Sequence, residues 1–386
     1  MSALADAAWL NPLIGLLQGV QLSLLRLLAW LGLVGSSHGQ PAWPWALRLS
    51  GENLLIDLGQ ARRLALTLVV LALVALLLLA ALAWRRRRWL LLATVPLLLV
   101  LAPWPQPEVV LVPAYPTSFH RSPTGFSAES IAQGHALYAK HCVGCHGVDG
   151  RGQGPLAATQ PVWPPNLAGP LLWRRADGDL LWHVLHGTMD RHGASTMPAF
   201  DRLADSEAWA LIDFTKAQGA GQSLRATGVW SQPIGLPDVV VRCEGREPRP
   251  LSAWRGQRLR IVAAGSATAP LEDPRMVTMQ LQASAVAALP RVAGCVIDSP
   301  AAWEAFALIA GTDRLAGTQL LADRDGWLRA RSAPGAAGWS EDDLLCRAAT
   351  GPGSTPDDPA PADGLSALIA RMDAEPVRFL KGGFVH

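Results

Sequence analysis

GHALYAKHCVGCHGVDGRGQGP, running from Gly134 to Pro155, decides how this chain is read. At its centre stands Cys142-Val143-Gly144-Cys145-His146, the attachment pattern of a c-type haem. Two thiols on one turn can form thioethers to the two vinyl groups of a single porphyrin. The adjacent imidazole is then held beneath the iron as an axial ligand. Two other chemistries use such a pair: half of a zinc site, and a redox CxxC. A zinc ribbon needs a second cysteine pair at matching spacing, whereas Cys243, Cys295 and Cys346 are isolated. A thioredoxin-type pair follows a β-strand, whereas SIAQGHALYAKH (Ser130–His141) has a helical pattern. The motif predicts one covalently attached haem c.

Downstream, DSEAWALIDFTKA (Asp205–Ala217) spaces Trp209, Leu211, Ile212 and Phe214 helically after an acidic start. Met197 lies between this segment and the haem motif, in STMPAF, and Met189 lies in HGTMD. Over about residues 128–219 this order resembles a class I cytochrome c domain. The resemblance implies an all-α fold whose first and last helices cross, and a distal methionine. Met197-Pro198-Ala199-Phe200 matches the family's methionine followed by proline with an aromatic nearby. His146 and Met197 are therefore the expected iron ligands, with Met189, His183, His186 and His192 as other axial donors in reach of the sequence. The resemblance also implies that Pro155 offers its carbonyl to the His146 ring N–H, and that Gly144, Gly147 and Gly154 let backbone approach the haem. Trp163, Trp173 and Trp182 suit either a haem wall or ordinary core.

The rest of the chain has a different composition. Of 386 residues half are hydrophobic and 17% are charged, with 33 basic against 31 acidic. Mean hydropathy is +0.21. Near-balanced charge leaves no footprint for nucleic acid, and the apolar excess argues against a wholly soluble enzyme. That excess is local. Leu64–Trp84 carries no charge and is long enough to cross a bilayer. Arg85 to Arg88 follow, then Trp89–Pro103, which is short and contains Pro96. Leu10–Val34 is weaker, with Asn11, Gln18, Gln21, Ser23 and Arg26. It either crosses the membrane or lies in the interface, and its polar residues would suit a partner helix. An amphipathic helix is expected near Asn53–Arg63. The four arginines belong in the cytoplasm, which puts everything after Trp104 outside.

Residues 1–104 thus form a membrane anchor of two or three helices. Residues 105–127 form a stiff Pro-rich linker. Residues 128–219 are the cytochrome c domain, 220–235 a second linker, and 236–386 a third domain. The junction, WPQPEVVLVPAYPTSFHRSPTGFS, followed by the haem motif, resembles that in bacterial fusions of the copper resistance protein D membrane module to a cytochrome c. That module has more helices than are found here. His38 and His120 are the outer-face residues such a copper role would draw on.

In the third domain Val239–Arg242, Leu259–Ala264, Gly294–Ile297, Gln319–Ala322 and Trp327–Arg331 read as strands. Trp303–Ile309 and Gly364–Ala374 read as helices. The α/β order resembles a thioredoxin-like fold. The place of that family's CxxC reads Gly265-Ser266-Ala267-Thr268-Ala269-Pro270, with no cysteine. Thiol exchange needs an attacking thiolate, so the domain is redox-dead as a thioredoxin. Cys243, Cys295 and Cys346 hold either one disulfide and one free thiol or three buried thiols. Gly351–Asp363 reads as a polar loop.

The expected function is a membrane-tethered monohaem cytochrome. It carries single electrons on the periplasmic side of a bacterial inner membrane. Its partners are redox proteins or a respiratory or photosynthetic complex, with no small-molecule substrate evident. An electron carrier fits better than an enzyme. The alternative is copper handling or a haem-linked redox assembly role using the third domain.

Overall fold

The structure is a computed structural model that describes residues 9–84, 86, 88–265, 272–283, 294–332, 339–340, 343–346 and 364–381. The chain divides into two compact units. One is Met1–Phe119 with Leu380–Phe384, and the other is His120–Phe379 with Val385–His386.

In the first unit α1 (Leu10–Trp30) buries Leu10, Leu13, Ile14 and Leu17 against Leu54, Ala61, Leu64 and Val110. Two of its polar residues are engaged within the unit. Gln21 Oε1 accepts from Leu49 N at 2.8 Å, and Gln18 Nε2 donates to Lys381 O at 2.6 Å. The expectation that these residues serve a partner helix gives way to an intramolecular role for both.

Asp57 caps α2 (Leu58–Ala83) by accepting from Gln60 N. The amphipathic stretch expected near Asn53–Arg63 is thus the start of the long helix from Leu58 onward. At 26 residues α2 is about 39 Å long, enough to cross a bilayer. Its Leu66, Val69, Leu73 and Leu76 remain exposed. A shorter helix, α3 (Arg88–Leu101, 14 residues), follows, and Thr67 Oγ1 donates to Pro103 O just beyond its end. Among the described residues two helices, α1 and α2, are long and apolar enough to cross a membrane. Arg85 and Arg87 lie outside the described residues. A two-stranded ladder, β1 (Leu47–Leu49) with β2 (Leu111–Pro113), brings the start of the 105–127 stretch against this unit.

The second unit starts with α4 (Ala128–His141), capped by Ser127 Oγ on Ser130 N. Then come α5 (Asp177–His186), the short hairpin β3 (Thr188–Met189) and β4 (Ser195–Met197), and α6 (Asp205–Thr227). Helices α4 and α6 cross at Gly134. A Cβ there would stand 2.0 Å from Ala210 O, so only glycine permits this approach. Phe214 of α6 packs on both His135 and Tyr138 of α4.

Beside the crossing, Asp213 is buried and accepts from Thr124 Oγ1 and from Ser130 Oγ. Burial pushes its carboxyl above the usual value, and those hydrogen bonds only partly oppose the shift. The folded chain therefore holds this proton more tightly than the unfolded one. Its ionisation costs stability as pH rises from about 3.8, the unfolded value, through the raised folded value. We expect Asp213→Asn to remove that slope. Urea midpoints measured from pH 4 to pH 8 check this; equal slopes in both proteins would contradict it.

The remaining strands form one seven-stranded mixed sheet in the order β11-β10-β7-β8-β9-β5-β6. The strands are β5 (Val240–Cys243), β6 (Arg249–Pro250), β7 (Leu259–Ala263), β8 (Val277–Gln282), β9 (Cys295–Asp298), β10 (Gln319–Ala322) and β11 (Leu328–Arg331). β7, β8 and β9 run parallel, with β10 antiparallel to β7 and β5 antiparallel to β9. Helix α7 (Pro300–Ile309) is buried on one face of the sheet. On the other face Leu368, Ile369 and Met372 of α8 (Gly364–Ala374) pack with Leu321 and Ala330.

Several expectations are corrected here. Strand β8 is additional to the five strands expected from the sequence. The strand read at 239–242 lies near one edge of the sheet, separated from β7 by β8 and β9. Of the two alternatives for the cysteines the first holds: Cys243 and Cys295 face each other in register and form a disulfide, and Cys346 is a buried thiol outside it. Residues 220–227, expected to begin a linker, belong to α6. That extension packs against α7. A Cβ at Gly221 would lie 1.9 Å from Leu308 O, and Arg225 reaches both Gly311 O and Asp313. One apolar core runs from Ile131, Phe214 and Leu224 through Phe306 and Ile309 to Ile261 and Met279. Residues 266–270, where the absent CxxC was sought, and 351–363 lie outside the described residues.

Candidate haem site

Helix α4 ends at Cys142, whose amide donates to Tyr138 O at 2.8 Å. A single turn, Val143–His146, follows at once, with His146 N on Cys142 O at 2.9 Å. Both thiols and the imidazole thus sit on one turn, as the spacing requires. The loop then folds back over that turn. Gly152 N donates to His146 O, Gly154 N to Cys145 O and Leu156 N to Gly144 O. A Cβ at Gly154 would lie 2.4 Å from Gly144 O, so the return path needs glycine there. Tyr138 Oη donates to Gly147 O at 2.8 Å, tying the turn to α4.

His146 is buried, and its Nδ1 stands 3.3 Å from the Pro165 carbonyl. The proton therefore belongs on Nδ1, which leaves Nε2 as the ligating nitrogen. The sequence had assigned this carbonyl to Pro155, and the structure moves it to Pro165. Prolines 155, 161, 164 and 165 all follow the motif closely, and spacing alone does not choose among backbone carbonyls that a loop carries back. The path between them explains the choice: Leu167 N donates to Gly150 O, which folds Pro165 onto the ring. Burial pushes the imidazole below its usual value, with the Pro165 carbonyl opposing. A neutral imidazole is the form that binds a metal.

Burial also pushes the Cys142 thiol up to about 11, with Cys145 adding to the shift. An attacking thiol in exchange chemistry needs a depressed value. The raised Cys142 thiol runs against the redox-pair reading of the motif. Zinc fares no better, since among the described residues no group of three or more His, Cys, Asp or Glu could hold a metal ion. The donor set fits a covalent haem: two adjacent thiols, one oriented imidazole and a glycine-lined return loop.

The structure separates the axial donors named from sequence. Met189 is 72% exposed, whereas Met197 is half-buried. His186 and His192 are exposed, and His186 lies against Trp182 with ring centroids 3.8 Å apart. His183 is half-buried, and burial lowers its pKa. After Met197 the chain returns to α5 through Phe200 N on Val184 O, and the Phe200 ring meets His141 of α4 edge-on. That contact carries the segment after Met197 to the end of the helix bearing Cys142. Of the tryptophans, Trp173 is core, Trp163 is exposed and Trp182 is half-buried.

Residues 129–214 match the protein-family model described as cytochrome c oxidase, cbb3-type, subunit III. This segment is a cytochrome c domain. The match covers the haem turn, the hairpin with Met197 and the α4–α6 crossing, and it implies haem c and electron transfer. No curated protein matches the chain. Among solved structures, a chain of the Kuenenia stuttgartiensis reducing HAO-like protein complex shares 22% identity with a TM-score of 0.22. The alignment covers 32% of this chain and 57% of that one, so this chain spans little more than half of that neighbour's length. The cytochrome c domain therefore rests on the family match and on the geometry of its haem turn.

Proposed function

We propose that this chain is a membrane-tethered monohaem c-type cytochrome. It carries single electrons on the periplasmic face of a bacterial inner membrane, as a subunit or partner of a redox complex. The observation that carries the reading is the turn on which Cys142, Cys145 and an Nδ1-anchored His146 meet inside the cytochrome c domain.

Haem c bound there supplies one-electron redox chemistry. Cys142 and Cys145 hold it by thioethers. Pro165 fixes the orientation of the His146 ring through Nδ1, so Nε2 is presented as the proximal donor. Met197 would supply the distal donor. A haem held by both donors would have no open position for a substrate, which favours an electron carrier over an enzyme. The thioether also raises the potential relative to bis-histidine ligation.

Tethering is supported by α1 and α2, which have spanning length and composition. Arg85 to Arg88 favour the cytoplasmic side for the segment after α2, and a second crossing by the apolar stretch that contains α3 would place the cytochrome on the opposite side. The Cys243–Cys295 disulfide agrees, since such bonds persist in oxidising compartments. The thioredoxin-like domain without its CxxC serves as a docking body. It shares a core with the cytochrome, so a partner bound to it is held in a fixed relation to the haem.

Produced with haem-attachment machinery, the wild-type chain is expected to carry one haem through denaturing electrophoresis. Cys142→Ala/Cys145→Ala is expected to carry none. Haem that leaves the wild-type chain on denaturation, or stays on the double variant, would overturn the assignment. The protein is also expected to stay in the membrane fraction after an alkaline wash; release by that wash would refute the tether.

A further inference from the structure

The segment that ends on Met197 is a very small hairpin, and its construction is unusual for its size. Strands β3 and β4 pair only at Thr188 with Met197 and at Met189 with Ser195. One residue, Thr196, is therefore extra on the second strand, forming a bulge. Bulges next to functional sites re-aim a side chain, and this one sets the residue that follows it, Met197. A two-stranded ladder this short has little stability of its own, so something else must hold it. Three contacts do. Thr188 Oγ1 and Thr196 Oγ1 lie 2.8 Å apart across the bulge. At the base, a Cβ on Gly187 would stand 2.5 Å from Met197 O. At the tip, Asp190 Oδ1 accepts from His192 N at 2.8 Å and from Ala194 N at 2.9 Å. The Asp190 amide itself donates to Ala194 O at 2.8 Å. One carboxylate oxygen thus closes the turn that sets the register of β4.

We propose that Asp190 is a positioning residue, whose carboxylate oxygen closes the bulged hairpin and so holds Met197 in place as the distal ligand. This rests on the reading of Met197 as that ligand. Asp190 acts as an acceptor for two backbone N–H groups and not through its charge. An amide oxygen can therefore replace it, and a methyl group cannot.

Imidazole competes with a distal methionine for ferric haem, so its affinity reports how firmly Met197 is held. Asp190→Ala loses both acceptor contacts and is expected to bind imidazole about tenfold more tightly than wild type. Haem attachment and the global unfolding midpoint are expected to stay near wild type, which a merely structural defect would not leave unmoved. Asp190→Asn is expected to restore the wild-type affinity. Asp190→Ser, with a shorter acceptor, is expected to fall between, and it stands in if the alanine variant fails to mature. Wild-type affinity in Asp190→Ala, or in Asp190→Ser where only that one matures, overturns the proposal. Asp190→Asn matching Asp190→Ala overturns it too, because charge and not the acceptor would then matter. Met197→Ala separates the two claims. If that variant keeps the far-red band of the oxidised protein, the ligand reading falls and this proposal with it. If the band is lost there while the Asp190→Ala affinity is unchanged, this proposal alone falls.

Discussion

Met197→Ala is expected to abolish the weak far-red absorption of the oxidised protein and to lower its midpoint potential by on the order of 0.1 V or more. Axial ligands set haem potentials over a range of about 0.8 V, and thioether ligation lies toward the oxidising end. The thioether favours ferrous iron, so its loss stabilises the ferric state. Burial separates Met197 from the nearest rival of its own kind, because Met189 is largely exposed on the opposite strand of the same hairpin. Absorption spectra and a redox titration of the detergent-solubilised protein check the prediction. An unchanged band and potential in Met197→Ala would assign the distal position to another residue, and His183, half-buried on α5, would be tested next.

The second large effect concerns the fold and not the iron. Gly134→Ala adds one methyl group where α4 meets α6. It would press on the Ala210 carbonyl and on Phe214 Cβ, which is 2.7 Å from the added atom. In an isolated helix the same change stabilises by roughly 1 kcal/mol. Here the obstruction is backbone, which cannot turn aside as a side chain can, so the helices must separate. Overpacking typically costs about 1–3 kcal/mol and occasionally more, and a backbone obstruction puts this case at the upper end, against a total stability of about 5–15 kcal/mol for a typical domain. The clash therefore outweighs the propensity gain. We expect a clear fall in the urea midpoint and a poor yield of haem-loaded protein. A midpoint at or above wild type would show that the crossing is looser than the structure has it.

How far the sequence could be read depended on the range of the interaction involved. The haem turn is local chemistry, five consecutive residues, and it was legible outright. So was the start of α6, because Asp205 and Glu207 mark a first turn. Its end was not. Gly219 and Gly221 look like helix breakers, yet Gly221 is there because α7 lies against it. The same blindness moved the His146 partner to the wrong proline, since a backbone carbonyl reached through a loop leaves no mark on residue type. Strand β8 alternates, so its pattern is legible in the sequence; that its polar positions Thr278 and Gln280 are buried as well, on a strand with neighbours on both sides, is not. The pairing of Cys243 with Cys295 follows from the register of β5 and β9. Register between strands 52 positions apart is a property of the whole sheet.

The unbroken passage of α6 into the sheet also bears on how such a chain could have arisen and how it can change. A haem domain joined by a pliant tether can be gained, lost or exchanged as a cassette. Here the seam is a helix whose late residues Ala220, Gly221 and Leu224 are buried against the neighbouring fold, with Trp230 just beyond donating to Ile309 O. Loss of either half would leave the other with an open apolar flank. The two halves must therefore vary together, and substitutions along α6 and α7 should be matched across the seam in any lineage that keeps both.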